Sequence, residues 1–140
     1  MPFNKTIANQ VLANNVGNYI GLFTAAPDDN GNYEEPTVDN SVTGSAGGYK
    51  RGVIGSNGWD KSKDRQIANG DLILMFEARE KLGNPTFTHF GLFDQESGGT
   101  LKFYGELANS LPVTTGYVPL IRAYELIIAM DVTEIDTDYS

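Results

Sequence analysis

Short apolar runs alternate with turn-forming clusters along the chain, and the spacing of those runs predicts strands. The clearest pattern covers Thr88 to Leu107, T-H-F-G-L-F-D-Q-E-S-G-G-T-L-K-F-Y-G-E-L. Its two arms, Phe90-Gly91-Leu92-Phe93 and Leu101-Lys102-Phe103-Tyr104-Gly105, are apolar and aromatic. Between them, Asp94 to Thr100 holds the Asp, Ser and paired Gly that turns require. The segment predicts a β-hairpin. Further strands are predicted at Tyr19 to Thr24, Tyr49 to Ile54 and Asp71 to Phe76. The longest apolar run, Val118 to Met130, is broken by Arg122 and Glu125, and reads as two strands or as one strand with a bend. Gly-Leu-Phe occurs at both Gly21 and Gly91, where each glycine marks a close backbone approach or a bulge.

Helical spacing is confined to the start of the chain. Ile7, Val11, Leu12 and Val16 share one face, Asn4 or Thr6 stands ready to cap, and Gly17 suits the position after the last turn. A helix over residues 5–16 is expected. Residues 28–48 form a long polar loop containing Pro36 and a Gly-Ser-Ala-Gly-Gly run, a length that usually signals contact with something else. Glu77 to Leu82 has room for a helical turn before Gly83-Asn84-Pro85 ends it. Six to eight short strands with one terminal helix predict a single all-β domain, a jelly-roll-like antiparallel β-sandwich, followed by an acidic tail at 132–140. Helices do not alternate with strands, which disfavours a parallel α/β sheet.

Charge narrows the choice of partners. Eighteen acidic residues against ten basic ones give a net charge of −8, which opposes binding to nucleic acid. Cysteine is absent, so disulfides and thiolate metal sites are excluded. No apolar run approaches the roughly 20 residues that span a bilayer, and Met1 to Lys5 does not open a signal peptide. Synthesis in the cytoplasm and no membrane partner are expected.

Candidate chemistry is sparse. Asp28, Asn30, Asn32, Glu34 and Asp39 fall at positions one, three, five, seven and twelve of a calcium-loop register. That register fails at its sixth place, Tyr33 instead of glycine, and at its twelfth, Asp instead of a bidentate Glu, so a solvated loop is expected and no metal. His89 is the sole histidine and lies on a strand, without a motif for a nucleophile or an orienting carboxylate. Glu34, Glu35, Asp94, Glu96 and Glu106 supply possible carboxylate pairs at ordinary acidic content, and no glycosidase pair is read from them. Most aromatics lie in apolar strands, where core packing is their usual fate. Trp59 is the exception, a lone tryptophan between Gly58 and Asp60 in a polar stretch, placed either to lid the core or to anchor a partner. No catalytic, metal or cofactor residue is expected.

Several segments taken in order carry a resemblance. A Y-[IL]-[GA]-L-x-T-x-x-P strand and turn is matched by Tyr19 to Pro27, and a G-G-Y-x-R-x-x-[IV] step by Gly47 to Ile54. An x-[IV]-x-N segment before an apolar strand is matched by Ile67-Ala68-Asn69 followed by Leu72 to Phe76. The hairpin from Thr88 to Leu107 is the clearest element. Together these resemble a family of small bacteriophage virion proteins, often labelled tail-fibre proteins and often occurring among capsid genes. The chain departs from the family at Leu82 to Thr86 and at Arg122-Ala123-Tyr124-Glu125. The resemblance implies a non-enzymatic structural protein made in the host cytoplasm. The favoured role is a capsid decoration or cement protein, a homotrimer seated on the major capsid protein at the capsid exterior. The expected contact residues are Trp59, Tyr33, Glu34 and Asn40. The alternative is a tail-associated fibre or receptor-binding module that holds host glycan through Trp59 or the loop aromatics.

Overall fold

The structure, a computed structural model, describes residues 13–38, 47–54, 58–63 and 66–129. Residues 13–15 are helical and Gly17 follows at φ 81°, as a residue past a helix end should. The rest of the expected helix, the loop segment 39–46 with Asn40, and the acidic tail lie outside the described residues.

The chain folds as an antiparallel β-sandwich of nine strands among the described residues. They are β1 (Tyr19–Phe23), β2 (Gly52–Val53), β3 (Trp59–Asp60), β4 (Gln66–Asn69), β5 (Ile73–Leu74), β6 (Thr86–Phe93), β7 (Leu101–Pro112), β8 (Leu120–Ile121) and β9 (Ile127–Ala129). A four-stranded sheet runs β2-β1-β6-β7, a three-stranded sheet β3-β4-β9, and β5 pairs with β8. All three feed one core, to which Ile20, Leu22, Leu92, Trp59, Ile67, Ile73 and Ile128 contribute buried side chains.

The predicted hairpin is β6–β7. Asp94 ties its turn by accepting a hydrogen bond from the Thr100 amide at 2.8 Å, and Gly98 and Gly99 take the positive φ angles that close it. The two Gly-Leu-Phe triplets meet across the sheet, with Gly21 directly opposite Gly91. Each glycine makes room for a neighbour: a Cβ on Gly91 would collide with the Phe23 ring, and one on Gly21 with the Glu35 carboxylate.

Other elements are shorter than their apolar runs. Of Tyr49 to Ile54, only Gly52–Val53 pairs, because Tyr49 and Arg51 bond the Glu35 side chain. The 118–130 run resolves into two short strands separated by a turn, in which the Arg122 amide donates to Glu125 Oε1 at 2.6 Å and Tyr124 adopts φ 66°. Glu80–Leu82 forms a single 3-10 turn that Gly83 terminates at φ 82°.

Candidate functional site

Three features outside the simple sheet pairing carry the functional reading: a buried polar brace, an aromatic corner and an open edge.

The brace is built on Arg51. Its Nε and Nη2 donate to the two Glu35 oxygens at 2.9 and 2.7 Å, a bidentate ion pair whose side chains are only 1% and 6% exposed. Its Nη1 donates to the carbonyls of Gln95 at 2.9 Å and Gly98 at 2.8 Å in the hairpin turn. The guanidinium lies 3.5 Å from the Phe93 ring centroid. Tyr49 completes the set, its hydroxyl donating to Glu35 Oε2 at 2.6 Å and accepting from the Leu22 amide at 2.8 Å. Burial, reinforced by the Glu35 charge, pushes the Tyr49 phenol far above its ordinary range. Burial works against the Arg51 charge, but the Glu35 hydrogen bond and carboxylate outweigh it and raise the pKa. Gly48, at φ 81°, lets this segment dock where a Cβ would meet the Glu77 carbonyl. Of the carboxylates that sequence singles out, Glu35 is thereby committed to structure.

The corner is held by Asn69, which is buried. Its Nδ2 donates to the carbonyls of Asp71 at 3.0 Å and Arg122 at 2.8 Å, and its Oδ1 accepts from the Leu126 amide at 2.9 Å. These bonds fix the 122–126 turn and with it Tyr124, a non-glycine residue in the left-handed region, which costs about 1–2 kcal/mol. The Tyr124 ring is 54% exposed, and its hydroxyl donates to Asp60 Oδ2 at 2.8 Å. Hydrogen bonds from Ser62 and Tyr124 hold the Asp60 carboxyl below its usual range. Beside the pair lies a concavity of about 370 Å³, lined by Ser62, Lys63, Gln66 and Ile127.

The open edge is β7. Among the described residues it pairs with β6 on one side and with nothing on the other. Consecutive residues Phe103 and Tyr104 are 36% and 46% exposed, so both faces of the strand reach solvent. Its ladder is regular only over Phe103 to Glu106. Lys102 is an extra residue between the pairs Leu92↔Phe103 and Phe93↔Leu101, and 107–110 bulge between Phe87↔Leu111 and His89↔Glu106. That larger bulge flanks an apolar groove of about 480 Å³ whose lining includes Phe90, Leu111, Leu120 and Leu126.

Of the expected contact residues, Trp59, Tyr33 and Glu34 lie among the described residues. Trp59 is 6% exposed and belongs to the core; its Nε1 has no hydrogen-bond partner among the described residues. Tyr33 is half-buried, stacked at 5.1 Å on Phe23 and edge-on at 5.2 Å to Phe93. Glu34 is exposed and accepts from the Thr24 hydroxyl at 3.2 Å. Asn40 lies outside the described residues. In the calcium-loop register, Asp28 accepts from the Asn30 and Asn32 amides at 2.9 Å and from Asn32 Nδ2 at 2.9 Å, so its oxygens are turned onto its own turn. Those bonds, led by Asn32, hold its carboxyl below the usual range. His89 Nδ1 lies 2.8 Å from the Thr88 hydroxyl on β6. Sequence reasoning missed Arg51, Asn69 and Tyr124 as key residues, although the Gly-Gly-Tyr-x-Arg and Ile-x-Asn steps pointed to the first two.

The described residues thus form a β-sandwich cross-braced by buried polar groups, with aromatic rings and a strand edge exposed. Comparison with known families matches residues 3–129 to the family described as Podophage GP4 fiber I protein gp80, and the chain belongs to that family. No curated protein matches it. Membership makes it a phage structural protein.

Proposed function

We propose that the chain is a non-catalytic component of a phage tail fibre that associates with copies of itself and with neighbouring virion proteins, and does not engage nucleic acid or membrane. The observation that carries this reading is the family match across nearly the whole chain to a fibre protein. The fold is in keeping with it, because Glu35 and Asp94 serve as braces and the exposed groups suit surface contact more than turnover. Cryo-electron microscopy of the intact particle tests it. Density for the sandwich at the tail supports the proposal, whereas density on the outer head shell would overturn it in favour of the capsid decoration role.

The Tyr124 corner favours a second reading, recognition of host glycan at the fibre surface. A fixed, exposed ring beside a carboxylate and an amide is the chemistry that stacks on a sugar and bonds its hydroxyls. Glycan-array binding lost in Tyr124→Ala supports this reading, and an array unchanged by that substitution removes it.

A further inference from the structure

The open edge of β7 is self-complementary. In an antiparallel pair of identical strands the residue numbers opposite each other have a constant sum, so each register is set by the residue on the two-fold axis. With Tyr104 on that axis, Lys102 of one copy stands opposite Glu106 of the other, and Glu106 opposite Lys102. Phe103 then faces Gly105, where only the Phe90 ring lies close to the missing Cβ. Moving the axis by one residue, toward the C-terminus or the N-terminus, sets Lys102 against Ala108 or Tyr104 and leaves the charges unmatched. Neither Lys102 nor Glu106 makes a side-chain hydrogen bond or ion pair among the described residues.

We propose that two copies of the chain pair through β7 about a two-fold axis at Tyr104, extending the four-stranded sheet into an eight-stranded one. Main-chain hydrogen bonds supply the attraction, and the two Lys102–Glu106 pairs select the register. The two-fold contact uses the same edge of both copies, so β7 is consumed in one pair and does not propagate. The Asp28–Gly31 turn stands beside Leu101–Tyr104 across a concavity of about 440 Å³. This contact is two-fold, in place of the three-fold assembly that the family resemblance implies, and does not depend on where in the virion the protein sits.

The absence of cysteine makes the test clean. Across the axis the two Cα atoms at 104 would lie about 4.5–5.5 Å apart, within the range that a disulfide spans. Tyr104→Cys is expected to oxidise to a covalent dimer in a glutathione buffer, well ahead of the control Glu96→Cys in the exposed hairpin turn. Lys102→Glu and Glu106→Lys are each expected to weaken the dimer by about tenfold or more, and an equimolar mixture of the two variants to restore it. Sedimentation reads the association, and unchanged circular dichroism shows that each variant folds. Cross-linking at 104 no faster than at 96, a trimer with unlinked 104 positions, or charge variants that do not complement each other would overturn the proposal.

Discussion

Replacing Arg51 with Met strands the Glu35 carboxylate in the interior. Both of its oxygens lose a guanidinium donor at 2.9 and 2.7 Å, and with the side chains 1% and 6% exposed, water cannot take the vacated place without opening the fold. Removing one member of such a pair costs about 3–5 kcal/mol. That is a large share of the roughly 5–15 kcal/mol by which a domain is stable. Glu35→Leu strands Arg51 and is expected to cost a similar amount. The double variant, Arg51→Met with Glu35→Leu, strands no charge. It loses the donors to Gln95 and Gly98, whose carbonyls lie in an exposed turn that water can reach, and the acceptor for the Tyr49 hydroxyl. Those losses amount to about 1–3 kcal/mol. The double variant should therefore be no less stable than either single one, far from the roughly 6–10 kcal/mol that simple addition gives. Urea unfolding at pH 7, followed by the fluorescence of Trp59, measures all four corners of the cycle, since the sole tryptophan is buried. Single costs that add within about 0.5 kcal/mol, or an Arg51→Met cost below about 1 kcal/mol, would refute the reasoning.

Alkaline pH tests the Tyr49 phenol. Its folded pKa is raised above the ordinary 10.0, so stability is full below pH 10 and falls as pH rises beyond it, when the unfolded chain ionises and the native one does not. Urea midpoints taken from pH 9 to 11 should show a decline of up to about 1.4 kcal/mol per pH unit that Tyr49→Phe removes, while that variant loses about 1–3 kcal/mol at pH 7. Asn69→Ala should cost about 2–4 kcal/mol, and should speed amide exchange at Leu126, which its Oδ1 now holds. Gly91→Ala forces the Phe23 ring aside and is expected to cost about 2 kcal/mol or more by thermal unfolding, whereas Gly31→Ala meets no atom and suffers only from its positive φ.

The sandwich and its central hairpin could be read from residues because they rest on local signals. An apolar run covers Phe90 to Phe93, and Gly98-Gly99 can close a turn that few other pairs can. Strands such as Gly52–Val53 or Leu120–Ile121 are two residues long, too short for any period to show, and exist because neighbouring segments dock onto them. The burial of Trp59 has a related origin. Its neighbours in sequence are polar, but its neighbours in space are set by β3 pairing with β4, with Trp59 opposite Asn69. The brace is not legible because an ion pair has no signature along the chain: nothing in the spacing of Glu35 and Arg51 marks them as partners.

Arg51 also bears on how fast the protein comes apart. Its partners lie 16 residues back at Glu35 and 44 and 47 residues ahead at Gln95 and Gly98. Bonds across such separations close only after β1, β6 and the hairpin turn have met. Interactions that form after the transition state leave the folding rate nearly untouched and slow the reverse step, so a brace of that kind is expected to show as faster unfolding, with folding unchanged, in stopped-flow kinetics of Arg51→Met. A virion protein is not resynthesised once the particle has left the cell, and its working life is the time that a single folding event lasts.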